Sequence, residues 1–331
     1  VTSIAGLLQG NLLLFVIRRF LSSIPLVLAI IVSAFLLIHL SPGDPISVIV
    51  GDSTPTAEQL DALYERYGLN DPLAVQLWNY MIAVLQGDLG YSYVNETPVF
   101  DLIMSRVPAT LTLMLPSLVL FTIMGVLIGV FVSLRPYSLA DNSASFLAVL
   151  GYSIPVFWLG QLLLLVFALW LGWLPSQGMR NLRAGAEGFG IILDVAVHLV
   201  LPAVVLGTRY LAINARLARA GMIESLHQDY VTAAKARGLP PRVVQNHALR
   251  NALIPVVTML GVNFADVLTG AVLVEIVFGW PGLGRLLYDA IFARDYPVLM
   301  GMFIVASVSA VVANVLTDIA YSIVDPRVRQ G

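Results

Sequence analysis

Three carboxylates, Asp266, Glu275 and Asp318, fall within or at the edges of long apolar stretches. A charge in hydrocarbon costs several kcal/mol, so each is a candidate for ion or proton handling. Asp266 is placed mid-stretch beside Asn263, where it can line a polar path or titrate; a hydrogen bond to a neighbouring helix accounts for it equally well. Glu275 and Asp318 fall near stretch ends, where an interfacial or structural role is expected. Other chemistry finds few residues to work with. The only lysine, Lys235, is followed by Ala236, so no G-x-x-x-x-G-K-[ST] loop exists to cradle nucleotide phosphates. His39, His198, His227 and His247 include no pair four residues apart and no H-E-x-x-H, which argues against a zinc site. The chain has no cysteine, hence no thiol nucleophile and no Cys-ligated metal. An intramembrane hydrolase needs a nucleophile and a base on facing spans. No Ser–His pairing is evident, and an Asp266–Asp318 dyad requires both groups at one depth, which their distances from the span ends disfavour. No catalytic residue, metal or bound cofactor is expected on this chain.

The elements that hold these residues are membrane helices. Of 331 residues 58% are apolar and 11% charged, against about 45–50% and about 25% in soluble domains. The net charge of −2 gives no basic field for nucleic acid. About 20 apolar residues cross about 30 Å of hydrocarbon. Phe20–Leu40, Ala109–Leu134 and Ala144–Leu174 are free of Asp, Glu, Lys and Arg, and Tyr296–Thr317 is nearly so. Val195–Ala215 is interrupted by Arg209, and Ala252–Phe278 by Asp266 and Glu275. The expectation is an all-α, polytopic membrane bundle of six transmembrane helices. Pro25, Pro116, Pro155, Pro202 and Pro255 lie within or at the ends of these spans and predict local kinks or irregular starts. Gly125 and Gly129 form a G-x-x-x-G on the second span, a pattern that favours close helix contact.

The first span is too long for a secretory signal and has no convincing cleavage site after it, so it is expected to stay as an anchor. Six crossings return both termini to one side. Arg18, Arg19, Arg135, Arg209, Arg216, Arg219, Lys235, Arg237, Arg242, Arg250, Arg327 and Arg329 fall on that side, with Arg209 either there or within the membrane, against Arg66, Arg106, Arg180, Arg183, Arg285 and Arg294 on the other. The positive-inside bias therefore puts both termini in the cytoplasm. The division expected is a cytoplasmic segment 1–19, a first span 20–40, an outer acidic loop 41–108, a core 109–325 holding the second to sixth spans, and a cytoplasmic tail 326–331.

Two connections exceed the length of a turn. In the outer one, Thr56 and Gln59 form a capping box, followed by Leu60, Leu63, Tyr64 and Tyr67 at helical spacing. A second helix is predicted to start at Asp71-Pro72, with Pro in the first position, and to stop at Gly87. The loop is either an acidic cap lying on the spans or a docking surface for an extracytoplasmic partner. The inner connection, 216–250, is basic. Within it Asp229–Arg237 predicts a short amphipathic helix, with Asp229 at the positive end of the dipole and Lys235 and Arg237 at the negative end. Gly238 ends it, and Pro240-Pro241 prevent continuation. Contact with anionic lipid is one use for such a helix.

The stretch from Asp229 through Tyr230, Val231, Thr232, Ala233, Ala234, Lys235, Ala236 and Arg237 to Gly238-Leu239, followed by His247–Pro255, resembles the E-A-A loop of ABC importer permeases. More narrowly, the chain resembles the B-type subunit of the dipeptide/oligopeptide/nickel family. The blocks Ser41–Pro45, Gln86–Gly90, Gly151–Pro155, Phe278–Arg285, Arg294–Pro297 and Asp325–Arg327 agree in order. Two positions depart from the pattern: Thr232 replaces the glutamate that gives the loop its name, and Pro255 lies further from Gly238 than in the short motif.

The resemblance implies a type I ABC importer permease of a prokaryotic inner membrane, carrying short peptides. Its partners would be a second, related permease, two ATPases that bind ATP and Mg, and an extracytoplasmic solute-binding protein. It implies that Asp229, Tyr230, Thr232, Ala233, Ala234, Lys235, Arg237 and Gly238 form the coupling helix and its cap, seated on an ATPase, with the small residues allowing close approach and the cations pairing with acids. Candidate path-lining residues are Tyr152, Gln161, Asn263 and Asp266. The same architecture serves nickel, haem or glutathione. A secondary transporter using Asp266 is the rival reading, although such proteins usually carry internal repeats and none is found here.

Overall fold

The computed structural model describes residues 21–22, 24–36, 56–66, 70–181, 185, 187–265, 267 and 271–324. Asp266, the termini with Arg18, Arg19, Arg327 and Arg329, and the blocks Ser41–Pro45 and Asp325–Arg327 lie outside them. Among the described residues the regular structure is helical: α1 (Ile24–Leu36), α2 (Ala57–Arg66), α3 (Leu73–Leu85), α4 (Val99–Ser133), α5 (Leu139–Ser153), α6 (Val156–Leu163), α7 (Phe189–Leu226), α8 (Asp229–Ala236), α9 (Pro241–Ala252), α10 (Ile254–Ala265), α11 (Val272–Val277), α12 (Leu283–Phe292) and α13 (Tyr296–Val324).

Length and apolarity qualify α4, α7 and residues Tyr296–Val315 of α13 as membrane spans. The stretch Ala144–Leu174 is not one straight helix. It divides into α5 and α6, which meet at 101°, and α6 continues as a π-helix over Leu164–Trp170. Pro155 causes the break: it has no N–H to donate, and it holds Ile154 in an extended conformation. Pro202, by contrast, is accommodated inside α7. The stretch Ala252–Phe278 holds two short helices, α10 and α11, each below the length needed to cross. Asp266, Thr269 and Gly270 interrupt its apolar run.

Contacts divide the chain into two compact units, Val1–Pro108 with Gly282–Val315, and Ala109–Pro281 with Leu316–Gly331. In the first, Val99 and Ile103 are fully buried among Leu283, Leu286, Val298 and Met302. Gly301 lets α13 approach, since a methyl there would lie 2.5 Å from Val99 Cγ1. The capping box forms: Thr56 N–H donates to Gln59 Oε1 at 3.0 Å and Gln59 N–H to Thr56 Oγ1 at 3.3 Å. The second outer helix begins at Leu73, with Pro72 as its cap rather than its first residue, and Gly87 follows its end at φ +83°. Buried Asp295 accepts from the Ser92 hydroxyl and, at 3.3 Å, from the N–H groups of Tyr93 and Val94, which fixes the turn closed by Tyr91 and Pro98.

In the second unit α7 lies along α4 with backbones almost touching. A methyl on Gly125 would lie 2.6 Å from the Leu211 carbonyl oxygen, and one on Gly129 would lie 2.3 Å from that of Ala215. The Phe121 ring fills the space a side chain at Gly207 would need. Positions 121, 125 and 129 thus match 207, 211 and 215 at four-residue spacing, the ridge that carries much helix packing. Asn214, fully buried, donates to Thr122 Oγ1 at 3.1 Å and cross-links the same pair. At the other end of α4, Trp280 is fully buried and donates from Nε1 to the Ala109 carbonyl at 2.7 Å. Glu275 is fully buried and accepts from Thr110 Oγ1 at 2.9 Å, the structural of its two expected roles.

Candidate functional site

An eight-residue helix has too few hydrogen bonds to persist alone, so α8 owes its position to packing. Val231 and Ala234, three residues apart, point inward and bury themselves with Val244 of α9. α9 starts with Pro241 in its first position and lies on α7 through Ala248, Ala252 and Met222. The contact is again backbone-close, for a methyl on Gly221 would lie 2.8 Å from the Ala252 carbonyl oxygen. α8 is therefore carried by α9 on the end of α7.

The face turned away from that support is polar and small. Asp229, Tyr230, Thr232, Ala233, Lys235, Arg237 and Gly238 are exposed, and Ala234 is the member of the predicted set that faces inward. Asp229 occupies the first turn and Lys235 the last, as the helix dipole favours. Gly238, at φ +73°, turns the chain out of the helix. No carboxylate among the described residues pairs with Lys235 or Arg237.

A charge pair braces α7 just before this module. Asp141, fully buried at the start of α5, is gripped by Arg219 through both carboxylate oxygens, with Arg219 Nη2 at 2.7 Å from Oδ2. The Tyr137 N–H donates to Oδ2 at 2.8 Å, and Ser138 caps the helix by accepting from Asp141 N–H at 3.3 Å. Sequence alone gives no sign of this pair, since 78 residues separate its members.

The break between α5 and α6 opens a cavity of about 390 Å³. Tyr152, Pro155 and Phe157 wall it on one side, with Val205 and Arg209 of α7 and Leu273 of α11 opposite. Gly151 permits this approach, as a methyl there would lie 2.8 Å from Thr208 Cγ2. Tyr152 is 48% exposed. The Arg209 guanidinium lies 5.7 Å from its centre and that of Arg216 6.0 Å. Of the four predicted path residues, Tyr152 lines this cavity, while Gln161 is exposed on α6 and Asn263 is buried with its Nδ2 unpaired. From sequence, Arg209 interrupts a span and counts among the cations of the cytoplasmic side; its seven-residue spacing from Arg216, two turns along one face, is the signal that points to a shared site.

The family model described as binding-protein-dependent transport system inner membrane component matches residues 125–330, and its N-terminal counterpart matches 12–114. The chain is 42% identical over 316 residues to the oligopeptide transport system permease protein AppB of Bacillus subtilis, covering 95% of this chain and 98% of that one. It is 39% identical over 333 residues to the di/tripeptide transport system permease protein DppB of Pseudomonas aeruginosa, covering 96% and 99%. Identity is also 39% over 316 residues to the glutathione transport system permease protein GsiC of Escherichia coli, covering 95% and 98%.

Proposed function

We propose, for a chain that belongs to the binding-protein-dependent transport system inner membrane component family and is a permease subunit of an ABC importer, that its cargo is a short peptide and that α8 is the element a motor subunit moves. The names of the relatives support the cargo: oligopeptide, di/tripeptide and glutathione, the last itself a tripeptide with free carboxylates. The chain supplies half of a path completed by a second permease. Two ATPases bind ATP and Mg and do the hydrolysis, while this chain contributes no catalytic residue. An extracytoplasmic binding protein delivers the peptide, and both termini lie in the cytoplasm, on the side richer in Lys and Arg.

The observation that carries the mechanical part is the mounting of α8. Its outward face holds small residues and cations with no carboxylate partner among the described residues, and its inward face packs directly on α9 and, through it, on α7. Ala233 lets a partner approach the backbone, and Lys235 and Arg237 offer charge to acidic groups. A pull on α8 therefore reaches α7, along whose length lies the wall of the cavity beside Tyr152. Rigid-body motion of this kind is what alternating access requires.

Purification of the intact assembly in mild detergent is expected to yield this chain with a second permease and two ATPases. In proteoliposomes supplied with the binding protein, peptide uptake is expected to require internal ATP and to persist when ion gradients are collapsed by ionophores. Uptake driven by an imposed ion gradient without ATP would refute the reading.

A further inference from the structure

We infer that Arg209 and Arg216 form a two-step binding site for the terminal carboxylate of the peptide in transit, with Tyr152 as the platform that holds both guanidinium groups toward the path. The inference rests on the peptide reading above and adds the chemistry by which any short peptide is recognised within the membrane. Arginine inside a span is costly and is kept where it faces a cavity or a partner. Arg209 interrupts an otherwise apolar stretch of α7, is exposed, and lines the cavity of about 390 Å³ at the break between α5 and α6. Arg216 follows two turns on, about 10 Å further along the helix axis and closer to α8, and is exposed as well. Neither has a carboxylate partner among the described residues.

What each does contact is one tyrosine ring, at 5.7 and 6.0 Å from its centre. Cation–π contacts at an exposed ring are weak, so they orient the guanidinium groups without consuming their hydrogen-bonding capacity. The planar fork of donors matches a carboxylate in bidentate fashion. A carboxylate is the group that ordinary peptides share whatever their side chains. Two similar sites in series allow transfer from one to the other toward the α8 end of α7, and occupancy of either need not be tight for release to follow.

The test uses the intact importer in proteoliposomes and compares ATP-driven uptake of alanyl-phenylalanine with that of its C-terminal amide. The binding protein's own preference is common to all variants and divides out. Arg209→Gln and Arg216→Gln are each expected to lower the acid-to-amide preference by about tenfold, as for loss of a charged hydrogen bond. Arg209→Lys, which keeps the charge and loses the fork, is expected to lower it a few-fold, and is the variant read if Arg209→Gln does not assemble. An unchanged preference in these variants, with peptide still imported, overturns the carboxylate site and leaves the cargo reading standing. A defect present in vesicles containing phosphatidylglycerol and absent in pure phosphatidylcholine assigns the arginines to the anionic lipid surface and also overturns it. An unmodified importer that moves neither the acid nor the amide overturns the cargo reading, and this inference with it.

Discussion

Asp141 and Arg219 bind each other at the point where α7 leaves the apolar part of the molecule. The carboxylate is fully buried and its partner partly so, with 27% of the Arg219 side chain exposed. Removing one member of such a pair strands the other, at a cost of about 3 kcal/mol. Asp141→Asn is therefore expected to lower the melting temperature of the purified complex by several degrees. Adding Arg219→Gln should recover much of that loss, as expected when two residues act as a unit. Strictly additive effects in the double variant would show that the two do not stabilise the fold together. The pair was hidden in the sequence because nothing local links residues 141 and 219. The partner of Glu275 was hidden for a related reason: its place near the end of an apolar stretch left an interfacial and a structural role open, and Thr110, far away in sequence, supplies the buried hydrogen bond that makes the role structural.

The close approach of α4 to α7 turns on glycines that need space rather than conformational freedom. A methyl on Gly129 would sit 2.3 Å from the Ala215 carbonyl, with no flexible side chain able to yield. Overpacking of this kind costs about 1–3 kcal/mol, so Gly129→Ala is expected to destabilise the complex despite alanine's better helix propensity, and Gly129→Leu to abolish its recovery from membranes. Gly238 behaves differently. No atom lies within 4 Å of an added methyl, and only the left-handed backbone at φ +73° resists, so Gly238→Ala should cost no more than about 1–2 kcal/mol. Thermal denaturation of the two alanine variants side by side checks the contrast, and equal stability with the unmodified protein at Gly129 would refute the packing. The G-x-x-x-G at 125 and 129 was legible as a motif, yet only the structure shows α7 as what it meets. The capping box and the Pro155 irregularity were legible because each depends on neighbouring residues. The sharpness of the Pro155 bend was not, because α5 and α6 both pack on α7, distant in sequence.

At the scale of the molecule, α7 is the member that joins cavity to surface. Its 38 residues extend about 57 Å at 1.5 Å per residue, well beyond a hydrocarbon core of about 30 Å. One end carries α9 and α8, and Arg209 and Val205 within it wall the cavity beside Tyr152. Membrane character and the placement of α8 were readable from composition, from proline and glycine, and from charge at the helix ends. The inward turn of Ala234 was not, because it is set by Val244, ten residues on. If α8 seats on a motor, Ala233→Arg, which puts a bulky cation on the exposed face without touching the buried one, should leave the chain in the membrane and reduce retained ATPase subunits at least tenfold in pull-downs. Retention at the unmodified level would contradict that seating.

The most direct measurement exploits the absence of native cysteine in this chain. Ala233→Cys, labelled with a photoactivatable maleimide in the intact assembly and irradiated, reports what lies against the outward face of α8, with the adduct at position 233 identified by mass. The account predicts cross-linking to a nucleotide-binding subunit. Cross-links confined to lipid, or to this chain itself, would contradict it.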